Sequence, residues 1–302
     1  MAAFASPGNE YGTASLTDLA QRNAFAPSIL TARWTYYRGQ VFAATVLIGL
    51  ANGLVATVDR SLQEVGLASA VVGTFGVSAI VWCAFCIGVS LMYRDKGTLA
   101  SGRDWAATSL SMAGFLLPES ELSWCALTAF AIYAVTTSPL DSDARRGAII
   151  VAAATIPLFW SKALFSLFSG IILRGDAMMV SAMTGLMRVG NTIQLDGGYG
   201  TLWLAPRCSS FANLSLTVLC WSVCMQFVKR TRSVPLLWAW CGVACMVVVL
   251  INVIRISLMA FRPDYYDLIH GAIGADVASW LTTAAIVGIC VFGLHDEGAT
   301  LR

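Results

Sequence analysis

Between residues 40 and 293 the polar positions of this chain are sparse, and the apolar ones gather in runs instead of alternating. Eight runs stand out, at 40–58, 68–92, 105–117, 122–137, 148–173, 209–228, 234–258 and 270–293. Most are close to the ~20 residues that cross a ~30 Å hydrocarbon core as a helix. The period-two alternation of a transmembrane barrel strand is missing from them. The pattern predicts an all-α fold, a polytopic transmembrane helical bundle of about eight spans. The run at 105–117 is short and pairs with 122–137 around Pro118-Glu119-Ser120-Glu121. If that hairpin only re-enters the membrane, the sidedness of everything after it is unchanged.

One long polar interruption separates the fifth run from the sixth, at about 174–208. Its first part, from Asp176 to Arg188, has methionines and other apolar residues at helical spacing, the pattern of a helix lying along the interface. Its second part, from Asn191 to Leu204, has two β-prone runs around Asp196-Gly197-Gly198, which predicts a hairpin. Four regions follow. Residues 1–39 form a polar N-terminal segment, expected to be disordered or interfacial. Residues 40–173 hold the N-terminal transmembrane helices, 174–293 the outer segment and the helices that carry candidate chemistry, and 294–302 a short tail.

Composition supports the membrane reading: of 302 residues 57% are hydrophobic and 12% charged, with a mean hydropathy of +0.71. A net charge of +2, with scattered basic residues, gives no footprint for nucleic acid. The N-terminus lacks a basic stretch followed by a short apolar one, so no cleaved signal peptide is expected and the first span would serve as its own insertion signal. Basic loops stay in the cytoplasm. With the N-terminus inside, twelve of the nineteen Lys and Arg fall in cytoplasmic segments, five outside, and Lys162 and Arg255 within spans. The cluster Lys229-Arg230-Thr231-Arg232 anchors this orientation, which leaves both termini cytoplasmic.

Charge counting also sorts the candidate chemistry. Of two histidines, His295 is expected on the inner side and His270 opens the last span at the outer face. Arg255 lies near the outer end of the seventh span, where an arginine costs roughly 2.5 to 3.5 kcal/mol unless it faces a polar cavity or a partner or snorkels to the interface. Asn252, three residues earlier, shares its helix face and is placed to hold it. Cys208 begins the sixth span behind Arg207, and Ser209-Ser210 supply capping groups for the helix start. A helix N-terminus and a neighbouring cation both favour a thiolate. Cysteine nucleophile, histidine base and stabilising cation are what thiol acyl transfer requires.

Other signals read as structural. Cys125, in an ordinary apolar run, is the one rival nucleophile and reads as packing. Cys83 and Cys86 have redox spacing without a redox context, and Cys220/Cys224 and Cys241/Cys245 are i,i+4 pairs on helices. With two histidines on opposite sides, no His/Cys metal site is expected, and no cofactor. Lys162 and Asp276, deep in the fifth and eighth runs, are expected to form a buried structural ion pair, with a proton relay as the other reading.

Arg207-Cys208-Ser209-Ser210 at the start of one span, Asn252-Val253-Ile254-Arg255 in the next, and His270 with Gly274 opening the last resemble the exosortase/archaeosortase family of polytopic membrane enzymes. The resemblance covers about 150–293. It implies a cysteine protease or transpeptidase, in a bacterial or archaeal cell membrane, that removes C-terminal sorting tails from exported proteins. Such tails combine a recognition motif, one transmembrane helix and a basic cluster. By that resemblance Cys208 is the nucleophile, Arg255 the transition-state stabiliser and His270 the acid/base. Ser210 departs from the glycine that many members carry after Cys-Ser, which leaves the subfamily and its tail motif open. Two other functions compete: a transporter lined by Lys162, Asp276 and Arg255, although repeat symmetry is missing, and a non-catalytic scaffold of a cell-envelope assembly.

Overall fold

The computed structural model describes residues 36–117, 119–227 and 234–294. The expectations for residues 1–35, for the basic cluster at 229–232 and for His295 with the tail after it lie outside the described residues.

Helices dominate, and they occur in the order that the apolar runs set. They are α1 (Arg38–Val72), α2 (Ala79–Arg94), α3 (Gly102–Phe115), α4 (Ser120–Thr137), α5 (Asp143–Thr155), α6 (Ser161–Thr184), α7 (Phe211–Met225), α8 (Val234–Phe261), α9 (Tyr266–His270) and α10 (Ala272–Leu294). Four helical stretches, Arg38–Val72, Asp143–Thr184, Pro235–Phe261 and Ile273–Gly293, are long and apolar enough to cross a membrane. Ala79–Arg94 and Phe211–Met225 are shorter apolar helices. The protein is therefore an all-α polytopic chain with membrane character.

Element boundaries depart from the apolar runs in three places. The segment around Arg60, expected as a loop, stays helical in α1, where Gln63 donates to the Asp59 carboxylate one turn back at 2.8 Å. Gly66, with φ of 75°, breaks that helix instead. The fifth run is three pieces: α5, a π turn at Ile156–Trp160, and α6. Pro157 has no N–H to give to the helical ladder, and the wider turn accommodates that. Finally, α6 runs on to Thr184, so much of the Asp176–Arg188 stretch continues a long helix instead of forming a separate interfacial one. Gly185, at φ of 73°, ends it.

The packed interior has three parts. The N-terminal core joins α1 to α5 with α7 and centres on Phe42, Met92, Leu127, Phe130 and Ile150. There α2 and α5 approach closely at Gly88 and Gly147: a Cβ on Gly147 would stand 2.4 Å from the Gly88 carbonyl oxygen. At one edge Arg38 pairs with Asp104 at 2.8 Å, their side chains 11% and 3% exposed. Tyr133 donates to the same carboxylate at 2.9 Å, and Arg38 donates to the Thr137 carbonyl at 2.9 Å. A second core, of Val180, Ile193, Leu204, Val253 and Ile256 among others, joins α6 to α8 and carries Cys208 and Ile269 at its border. The third, around Trp221, Leu237, Val248 and Ile286, joins α7, α8 and α10.

Candidate functional site

Three short strands lead the chain to Cys208. Strand β1 (Arg188–Val189) pairs antiparallel with β2 (Thr192–Gln194), and β2 with β3 (Thr201–Trp203). The hairpin between β2 and β3 turns through Asp196–Gly198, as the glycine pair predicts. Alternation places Ile193 and Leu202, cross-strand partners, on the buried face, and both enter the second core. Asn191 then fastens the end of β3: its side chain donates to the Leu204 carbonyl at 3.1 Å, and its own carbonyl accepts from the Leu204 N–H at 3.0 Å. Tyr199 at the sheet's tip donates to Asp264, beyond α8, at 3.0 Å. That hydrogen bond and the carboxylate charge raise the Tyr199 phenol above its ordinary value.

After Leu204 the chain makes a 3-10 turn at Pro206–Cys208, closed by the Cys208 N–H to the Ala205 carbonyl at 2.8 Å. Cys208 is half-buried. The two serines that follow have different tasks. Ser209 accepts from the Phe211 N–H at 3.2 Å, a capping bond at the start of α7. The Ser210 hydroxyl points the other way and donates to Asp176 on α6 at 3.1 Å.

Asp176 is a residue that the sequence reading passed over as part of an interfacial stretch. It is only 3% exposed, and it accepts both the Ser210 hydroxyl and, at 3.4 Å, the Ser210 N–H. A carboxylate this far from solvent persists only with hydrogen-bond partners. The one sequence signal for it is an acid set among Ala177, Val180 and Leu173, all of them buried.

Helix α8 organises the other side. Asn252, 7% exposed, donates through Nδ2 to the Cys208 carbonyl at 2.7 Å and to the Ser210 hydroxyl oxygen at 3.0 Å. One turn later Arg255 donates through Nε and Nη2 to the Ile269 carbonyl, at 3.3 and 3.2 Å, and through Nη2 to the His270 carbonyl at 3.5 Å. These carbonyls lie at the C-terminal end of α9, where unpaired acceptors and the helix dipole favour a cation. Arg255 is therefore partnered by backbone, and Asn252 holds the cysteine segment rather than the guanidinium, as the shared face had suggested.

His270 is exposed, and its ring stacks on Tyr266 one turn back, centroids 5.0 Å apart and planes 10° from parallel. Gly274 explains how α10 can start so close to α9: a Cβ there would stand 2.2 Å from the Ile269 carbonyl oxygen that Arg255 binds. One face of α8 thus holds the backbone of Cys208 with Asn252 and that of Ile269 and His270 with Arg255. Among the described residues the Cys208 thiol and the His270 ring share no hydrogen bond. The Arg207 side chain lies outside the described residues.

The remaining candidates fall elsewhere. Lys162 and Asp276 form no ion pair among the described residues, which corrects the expectation of a buried pair. Both are exposed at the protein surface, Lys162 on α6 and Asp276 on α10. Lys162 lines a cavity of about 590 Å³ together with Arg60, Glu121 and Ser215. Cys125 is half-buried on α4, and Cys83 and Cys86 are exposed. A cluster that the sequence did not reveal forms elsewhere: Cys220, Cys224 and Cys290 bring their three sulfurs within 4.8 Å of one another. Sequence showed only the i,i+4 pair, because Cys290 comes from another helix.

Comparison with protein-family models, with curated proteins and with solved structures finds no match for this chain.

Proposed function

We propose that this protein is an exosortase-like membrane cysteine protease or transpeptidase that cleaves the C-terminal sorting tails of exported proteins. The observation that carries the reading is the α8 face on which Asn252 and Arg255, one turn apart, tie down the segments bearing Cys208 and His270. Two distant motif segments are thereby held on the helix that carries the third, next to one small sheet.

In the proposed reaction the Cys208 sulfur attacks the scissile carbonyl while His270 takes the thiol proton. Arg255 has no Nη1 hydrogen-bond partner among the described residues, and that N–H group is available to the oxyanion. Collapse of the tetrahedral intermediate breaks the C–N bond, and His270 returns the proton to the leaving amine, which departs with the tail. The thioester left on Cys208 is resolved by water or by an amine. No cofactor enters these steps. The small sheet beside the half-buried thiol suits a substrate that arrives as an extended segment just above its own membrane helix.

The reading includes an eight-span arrangement in a bacterial or archaeal cell membrane, both termini cytoplasmic and Cys208 on the extracytoplasmic face. The excess of Lys and Arg in the segments assigned inside supports it. The test is co-expression with a candidate tail-bearing substrate. Wild type should remove the tail; Cys208→Ser, Arg255→Ala and His270→Ala should not. Complete processing by Cys208→Ser would sink the mechanism. A transporter or a scaffold would tolerate Cys208→Ser and leave the tail intact with wild type as well.

A further inference from the structure

Five of the nine cysteines belong to one packed group, the core between α7, α8 and α10: Cys220, Cys224, Cys241, Cys245 and Cys290. Three of them do more than fill space. Cys220 and Cys224 stand one turn apart on α7, so their side chains share a face. Cys290, 2% exposed, reaches them from α10, its sulfur 3.9 Å from that of Cys220. All three sulfurs lie within 4.8 Å of one another. With metal–sulfur bonds of about 2.3 Å, sulfurs around one ion stand roughly 3.8 Å apart in a tetrahedron and about 4.0 Å apart in a plane. One pair already has that spacing, and the third sulfur needs to move by no more than about 1 Å to share an ion with them.

The chemistry of the donors narrows the ion. The other buried members of the group are Trp221, Met225, Leu237, Cys241, Val248 and Ile286, with no carboxylate or imidazole among them, and Cys241 stands outside the set of three close sulfurs. Hard cations need oxygen ligands and find none. Zinc in structural sites takes four ligands, usually tetrahedral, whereas three thiols from two helices give a trigonal, all-sulfur set that suits Cu(I). The Trp221 indole N–H is buried in the same group without a hydrogen-bond partner among the described residues.

We propose that Cys220, Cys224 and Cys290 bind one Cu(I) ion. Each sulfur that binds as thiolate releases one proton to solvent; the copper arrives and stays as Cu(I), so no electron is transferred. The ion joins the far ends of the two helices that leave the candidate site, since α7 begins three residues after Cys208 and α10 two residues after His270. It acts as a staple between them, and it does not depend on the proposed processing activity.

The test is anaerobic titration of the purified, detergent-solubilised protein with Cu(I) against bathocuproine disulfonate, in a Cys208→Ser background so that the thiol of the candidate site contributes nothing. One equivalent should bind, with sulfur-to-copper charge-transfer absorption. Cys220→Ser and Cys290→Ser should each weaken binding at least about tenfold, as loss of a soft ligand demands. Cys83→Ser with Cys86→Ser should leave it unchanged. X-ray absorption on the loaded protein, which needs no further variant, should count three sulfurs at about 2.3 Å. Equal affinity for Cys290→Ser, nitrogen or oxygen neighbours at the metal, no binding of Cu(I), or tighter binding of Zn(II) with four sulfurs would each overturn the assignment.

Discussion

Asn252 holds Cys208 by its backbone: the amide donates to the Cys208 carbonyl at 2.7 Å, and the same nitrogen reaches the Ser210 hydroxyl at 3.0 Å. Ser210 in turn donates its hydroxyl hydrogen bond to Asp176. Helices α8 and α6 are therefore joined through the turn that presents the thiol. Removing the amide in Asn252→Leu leaves the part-buried Cys208 carbonyl without this donor, while the Ser210 hydroxyl keeps Asp176, and should cost about 1 to 3 kcal/mol. Thermal unfolding in detergent should fall accordingly, and tail processing should fall far more than stability does. A variant that unfolds earlier but processes normally would separate Asn252 from the site.

Asp176 anchors the other end of that chain. In Asp176→Asn an acceptor oxygen remains for the Ser210 hydroxyl and only the longer bond from the Ser210 N–H is lost, so processing should be largely kept. In Asp176→Ala the hydroxyl loses its acceptor in a place that water does not reach, and stability should drop by about 1 to 3 kcal/mol. Equal behaviour of the two variants would show that the carboxylate's charge, not its hydrogen bonding, matters. Processing assays and melting curves on both variants distinguish these outcomes.

Gly274 is the contact that lets α10 start beside α9. A methyl group there meets the Ile269 carbonyl at 2.2 Å, and a backbone atom cannot swing aside as a side chain can. Gly274→Ala should push that carbonyl away from Arg255, costing on the order of 1 to 3 kcal/mol from overpacking. His270 should move with it. Thermal unfolding in detergent and tail processing should both fall in the variant, and unchanged values of both would argue against the latch.

Arg38 and Asp104 form the most buried ion pair among the described residues. Breaking it from one side, in Arg38→Met, leaves a carboxylate 3% exposed whose remaining partners include Tyr133 and Ser101. Loss of one partner of a buried pair costs about 3 to 5 kcal/mol. The N-terminal helices should then become the protease-sensitive part of the protein in limited proteolysis, with the C-terminal half unaffected.

Lys162 and Asp276 should behave as strangers. Since they make no ion pair, Lys162→Met and Asp276→Asn should add in stability to within about 0.5 kcal/mol. A larger coupling in the double variant would restore the buried pair that their sequence positions suggest.

Much of the architecture could be read before any coordinates. Apolar run length and spacing determined the helices and their order, because a segment surrounded by lipid or protein has to satisfy its own backbone. Asp196-Gly197-Gly198 between alternating residues determined the hairpin, because only glycine turns there without strain. The residue types determined which side chains deserve chemical interest. Tertiary structure alone decided who meets whom. Asn252 lies 44 residues from Cys208, Asp176 lies 34 from Ser210, and Cys290 lies 70 from Cys220. Pairs one turn apart on a helix follow from its pitch, but these contacts depend on how whole helices rotate and lean against one another. The same rotations leave Lys162 and Asp276 exposed without an ion pair between them and gather three thiols that the sequence keeps apart.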